Sequence, residues 1–151
     1  MKYYLYYIAL FALLFPSCKK KDTVDQNAVD AGIITQYISD NKLNATATGS
    51  GLYVVITSQG TGPQPSSNSN VTVNYKGYFT SGTVFDQSKS SGISFSLNGV
   101  IKGWQEGIPY FKQGGKGILL IPSSLGYGAQ DRPSIPANSV LIFDIDLLDV
   151  K

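Results

Sequence analysis

Hydrophobic residues fall along this chain in three patterns, and each predicts a different kind of segment. Tyr3 to Phe15 is an almost unbroken apolar run, shorter than the about 20 residues a membrane-spanning helix needs. From Asp25 to Asn41 the apolar positions Val29, Ile33, Ile34, Tyr37 and Ile38 recur with helical spacing, which predicts an amphipathic helix; Gly32 inside it weakens it by about 1 kcal/mol. Beyond Asn44 to Gly51 (NATATGSG), a turn-rich linker, the pattern becomes β-like. Leu52 to Ser58 is β-branched and aromatic, and Val71 to Phe79 alternates Val71, Val73 and Tyr75 against Thr72, Asn74 and Lys76, as a half-buried antiparallel strand does.

The hairpin signal Ser81-Gly82 turns the chain into a return strand over Thr83 to Asp86, interrupted by the polar Gln87 to Gly92 and resumed over Ile93 to Leu97. The stretch VIKGWQEGIPYFKQGG, from Val100, predicts the one helix of this domain, with Gly114-Gly115 as its stop and Lys112 and Lys116 suited to its negative end. Pro109 conflicts with that helix, because it removes a backbone bond at a cost of about 3 kcal/mol. Either the helix is short, or it begins after Trp104 with Pro109 in its first turn. Gly117 to Ile121 is a strand, Pro122 to Asn138 a long loop, and Ser139 to Val150 a closing strand. The expected architecture is α+β: a curved, mostly antiparallel sheet of five to six strands wrapped around one short helix.

Composition narrows the chemistry. Without a histidine and with one cysteine, Cys18, the chain excludes Ser-His-Asp and Cys-His catalysis, His-ligated zinc and an intrachain disulfide. The net charge is +2, and three cations are the consecutive Lys19, Lys20 and Lys21, so nothing points to nucleic acid. What remains for function is carboxylates, hydroxyls, backbone donors and the shape of an apolar cavity.

The apolar run has the length of a secretory signal and ends Leu14-Phe15-Pro16-Ser17-Cys18. This resembles the lipobox of bacterial lipoproteins, in which the new N-terminal Cys carries acyl chains; Phe15 and Pro16 stand where Leu and a small residue are usual. The expected organisation is a signal peptide over 1–17, a lipidated tether and lead-in helix over 18–50, and a folded domain over 51–151. The competing reading is an ordinary cleaved signal followed by an incidental free thiol. Three roles are open for the lead-in helix: capping the domain, dimerisation, or spacing it from the lipid. Its narrow apolar face favours packing on its own domain.

From about Gly51 to Lys151 the succession VTVNYKGYF, VFDQS, VIKGWQEG, IPSSLGYGA and VLIFDIDLL resembles the FKBP-type peptidyl-prolyl cis–trans isomerases, the immunophilins that bind macrolides such as rapamycin. The resemblance implies a pocket lined by Tyr75, Phe85, Val100, Trp104, Ile135 and Phe143. Its polar members would be Asp86, the Tyr127 hydroxyl and the backbone N–H of Ile101. Gly103 would let the backbone turn closely, so that Trp104 lies flat and Ile101 presents its N–H. Departures from the family pattern are Ile93, where an aromatic is common, a short tip over Asp131 to Pro136, and no clear basic partner for Asp86, although Lys89 is near in sequence.

Such a site needs no cofactor and no metal. An X–Pro bond crosses a barrier of about 18–20 kcal/mol that is amide resonance, and a dry pocket favours the less dipolar twisted state. Expected substrates are proline-containing exported polypeptides, expected inhibitors macrolides, and the expected location the cell envelope, on the periplasmic face of the outer membrane. Asp86 either faces the rotating carbonyl or anchors the pocket's hydrogen bonds. A non-catalytic prolyl-peptide-binding or chaperone lipoprotein, or a structural lipoprotein on the same fold, would carry the same motifs.

Overall fold

The structure is a computed structural model that describes residues 24–151. The apolar leader, Cys18 and the three-lysine stretch lie outside the described residues. The first element is the lead-in helix α1, Gln26–Asp40, which the Asp25 side chain caps by accepting from the Asn27 N–H at 3.1 Å. Lys42, at φ +52°, turns the chain out of it. Gly32 lies open to solvent, with nothing near the position of a Cβ, and the helix forms across it because Ile34 and Asp30 are buried beneath.

Seven strands follow in one antiparallel sheet: β1 (Thr46–Ala47), β2 (Tyr53–Ser58), β3 (Asn70–Tyr78), β4 (Val84–Gln87), β5 (Ile93–Ser96), β6 (Lys116–Ile121) and β7 (Leu141–Val150). Their spatial order is β1-β2-β6-β7-β3-β4, with β5 also on β3. The count exceeds the expected five to six because part of the segment read as a linker is a strand. Thr46 and Ala47 pair with Val54 and Tyr53 across a tight turn in which Gly49 and Gly51 take positive φ. The expected interrupted return strand is β4 and β5, which share one edge of β3 on either side of the polar break.

The main core lies on one face of the sheet. Leu141, Phe143, Ile145 and Leu147 of β7 alternate into it, and Leu119 and Ile121 of β6 lie beside them. Against this face sits the single short helix of the domain, α2, Lys102–Gly107. The short-helix alternative is the one realised. Pro109 has no N–H for the Gln105 carbonyl, and the chain tightens into a 3-10 turn over Ile108–Tyr110. Gly114-Gly115 therefore does not stop the helix, as expected, but joins the sheet. The Gly114 N–H donates to the Leu147 carbonyl at 2.7 Å, and the Leu147 N–H returns to Gly115 at 2.9 Å.

Helix α1 covers the opposite face. Ile34 is fully buried there with Val55, Leu120 and Val140, so the centre of β6 is covered from both sides. Among the described residues no helix is long and apolar enough to cross a membrane.

Candidate functional site

At Gly103 and Gly107 helix α2 puts no side chain of its own between its backbone and the side chains of β6. A Cβ on Gly103 would stand 2.5 Å from Cγ2 of Ile121, and one on Gly107 would stand 2.7 Å from Cδ2 of Leu119. Glycine at these two positions, one turn apart, lets the helix lie flat on the sheet. Gly103 thus serves close packing rather than the unusual turn expected of it. With that face seated, Trp104 lies on the core side of the sheet and becomes the floor of a cavity of about 340 Å³.

All nine residues expected to form a pocket line this one cavity: Tyr75, Phe85, Asp86, Val100, Ile101, Trp104, Tyr127, Ile135 and Phe143. Their packing is aromatic. Trp104 meets Tyr75 and Phe143 edge-on, with centroids 5.1 Å apart in both pairs, and Phe143 meets Phe85 edge-on at 5.5 Å. Adjacent strand positions explain the cluster: Gly77 of β3 stands opposite Phe143 of β7, and its missing side chain leaves room for the Phe85 and Phe143 rings. Ile135 reaches the rim from the long loop, held by paired backbone bonds with Arg132 of 2.9 and 3.1 Å.

The polar groups stand around this apolar floor. The Tyr75 hydroxyl donates to Oδ2 of Asp86 at 2.6 Å. Burial first, then the hydrogen bond to Asp86 and its charge, push the Tyr75 hydroxyl well above the ordinary tyrosine range, so it remains a neutral donor. Lys89 does not partner Asp86 but lines an open depression on the other side of the sheet, and among the described residues no cation bridges Asp86. Ile101 precedes α2; its carbonyl accepts from Trp104 and Gln105, while among the described residues no protein group accepts its N–H. The Tyr127 ring lies under the Arg132 guanidinium at 5.2 Å, and its hydroxyl likewise has no protein partner among the described residues. The Trp104 Nε1–H is buried and has no partner among the described residues, which costs about 1–3 kcal/mol.

Phe95 was missed as a site residue. It packs on Trp104 at 5.2 Å and lines the cavity with Ile93 and Gly99. The signal was available in the alternation of Ile93, Phe95 and Leu97, which puts all three on the face that meets the core. Ile93, the departure from the family aromatic, is 47% exposed at the mouth.

The open depression is larger, about 500 Å³, but it holds the exposed Lys116–Asp146 ion pair, and Tyr75 is the one aromatic residue in its lining. The smaller cavity is the better-formed binding site, because it combines an apolar floor with a few convergent polar groups.

A sequence profile of the family described as FKBP-type peptidyl-prolyl cis-trans isomerase matches residues 62–148. FkpA of Buchnera aphidicola, an FKBP-type peptidyl-prolyl cis-trans isomerase, is 44% identical over 129 residues, covering 83% of this chain and 51% of its own. The crystal structure of FkpA from Escherichia coli superposes with a TM-score of 0.70 at 37% identity, covering 83% of this chain and 62% of that one. A peptidyl-prolyl cis-trans isomerase from Pseudomonas syringae gives 0.71 at 30% identity, covering 83% of this chain and 96% of its own. The chain spans about half the length of the curated relatives it matches.

Proposed function

The chain belongs to the FKBP-type peptidyl-prolyl cis–trans isomerase family, and from that premise we propose that it accelerates X–Pro isomerisation in proline-containing polypeptides exported to the cell envelope. The observation that carries this reading is the convergence of nine residues from β3, β4, α2, β7 and two loops on one aromatic cavity.

The uncatalysed step takes tens to hundreds of seconds, because rotation breaks amide resonance. In the proposed mechanism the prolyl ring sits on Trp104, enclosed by Tyr75, Phe85, Val100, Ile135 and Phe143. Removing water from the amide disfavours its planar, more dipolar form, so the barrier falls without a nucleophile or proton relay. The Ile101 N–H and the Tyr127 hydroxyl, both without protein acceptors among the described residues, hold the substrate carbonyls, and binding energy is directed to the twisted geometry. The 2.6 Å bond from Tyr75 favours the anchoring role for Asp86: it fixes the Tyr75 ring in the wall.

Lipidation at Cys18 completes the proposal. An acylated Cys18 would hold the domain on a membrane, each buried methylene contributing about 0.8 kcal/mol, with the periplasmic face of the outer membrane as the location. Macrolides such as rapamycin would compete for the same floor.

A proline-limited refolding assay tests the activity. The wild type should accelerate the slow phase, and Tyr127→Phe and Asp86→Ala should weaken the effect. Peptide binding by the wild type with no effect on rate would support the non-catalytic binding module instead.

A further inference from the structure

Asp30, on the lead-in helix, is fully buried although it is a carboxylate. Among the described residues it pairs with no cation. A buried carboxylate is costly unless hydrogen bonds satisfy it. Two do: Gln26 Nε2–H donates to one oxygen at 2.7 Å, and the backbone N–H of Ser123 donates to the other at 2.7 Å. Ser123 opens the 3-10 turn Ser123–Leu125, and the preceding Pro122 gives that turn no side-chain cap. A residue 93 positions away in sequence therefore caps it.

The carbonyl of the same Ser123 accepts from the Gly126 N–H at 3.0 Å and the Gly128 N–H at 2.8 Å. Tyr127 stands between those two glycines. Gly126 is at φ −102° and ψ −114°, and Gly128 is at φ +59°, so the backbone on both sides of Tyr127 is of the permissive kind. The position of Ser123 therefore bears on the direction of Tyr127, together with the Asn138 N–H that donates to the Gly128 carbonyl at 2.7 Å, and the Ser123 N–H is held by Asp30. Asp30 also lies outside the 62–148 segment that matches the family profile.

We propose that Asp30 is a positioning residue: through Ser123 it fixes the loop that aims the Tyr127 hydroxyl into the cavity, coupling the seating of α1 to the site. This rests on the isomerase reading of the cavity.

The test is a double-mutant cycle in the full chain, read as kcat/KM for isomerisation of an X–Pro peptide. Asp30→Ala should lower kcat/KM about 3- to 10-fold, and Asp30→Asn, whose amide oxygen still accepts from the Ser123 N–H, should recover most of the loss. In a Tyr127→Phe background Asp30→Ala should add little, since both act through one hydroxyl. Asp30→Leu keeps the branched side-chain outline, fills the site with apolar atoms and removes the acceptor, so it replaces Asp30→Ala should that variant fail to fold. Multiplying effects of the two positions, or unchanged kcat/KM in Asp30→Leu, would overturn the proposal. Absent turnover by the wild type would instead remove the isomerase reading. In that case amide exchange decides: the Gly126 and Gly128 N–H groups should exchange faster in Asp30→Leu while those of Leu119 and Phe143 do not, and equal exchange would sink the positioning role.

Discussion

At Gly103 the space for a side chain is already occupied by Ile121, whose Cγ2, Cδ1 and Cγ1 lie 2.5, 2.8 and 3.0 Å from where a Cβ would be. Gly103→Ala therefore wedges α2 away from β6. It should cost about 1–3 kcal/mol in urea unfolding and should quench or shift the Trp104 fluorescence, because the indole moves with the helix. A substitution that leaves both unchanged would mean that the two elements are not seated on each other. The tyrosines make a second prediction at this scale. Tyr78 donates to Oδ1 of Asp144 at 2.9 Å, and burial with that bond raises its hydroxyl as burial and the Asp86 bond raise that of Tyr75. Both folded-state values lie above the ordinary 10.0, so the folded chain holds these protons more tightly than the unfolded one. Stability is then complete below pH 10 and falls as pH rises beyond it. Tyr75→Phe and Tyr78→Phe should each flatten that alkaline decline in a urea titration carried out across it.

Helix α1 and strand β7 differ in how plainly the sequence announces them. In β7 the less buried Asp144 and Asp146 alternate with Phe143, Ile145 and Leu147, and the face it turns to the core follows from that alternation. For α1 the spacing of apolar residues predicts the helix but not its seat, because Val29 and Ile33 look equivalent to Ile34. In the structure Val29 and Ile33 are 40% and 38% exposed and Ile34 is fully buried. Ile34→Ala should therefore cost about 2–5 kcal/mol, and Ile33→Ala should stay within about 0.5 kcal/mol, both by thermal or urea unfolding. Equal effects would mean that α1 is not docked on β6. Two elements were hidden for physical reasons. β1 is two residues long and is held by its partner strand rather than by its own propensity. The end of α2 was obscured because Gly114-Gly115 has the look of a helix stop, while Pro109 had already ended the regular turns.

Across the whole molecule, the aromatic lining was legible because family motifs fix residue types at positions that the antiparallel register then gathers. Tyr75, Gly77 and Phe143 lie in adjacent strands, although the last is far from the others in sequence. What the chain did not announce was second-layer support. Nothing in the spacing of Asp30 and Ser123 links them, and their hydrogen bond exists only once α1 is docked. The proposed anchor belongs to this scale as well. Cys18→Ala should move the protein out of the membrane fraction or leave its leader uncleaved, and membrane fractionation identical to the wild type would contradict lipidation at that residue.

The cavity over Trp104 is proposed to lower the barrier to X–Pro rotation. Exchange spectroscopy of a short X–Pro peptide tests it most directly, since cis and trans signals interconvert slowly on their own. Catalytic amounts of the wild-type protein should broaden and merge those signals, and a saturating macrolide should restore them. Signals that stay sharp and separate with the wild-type protein present would contradict the account.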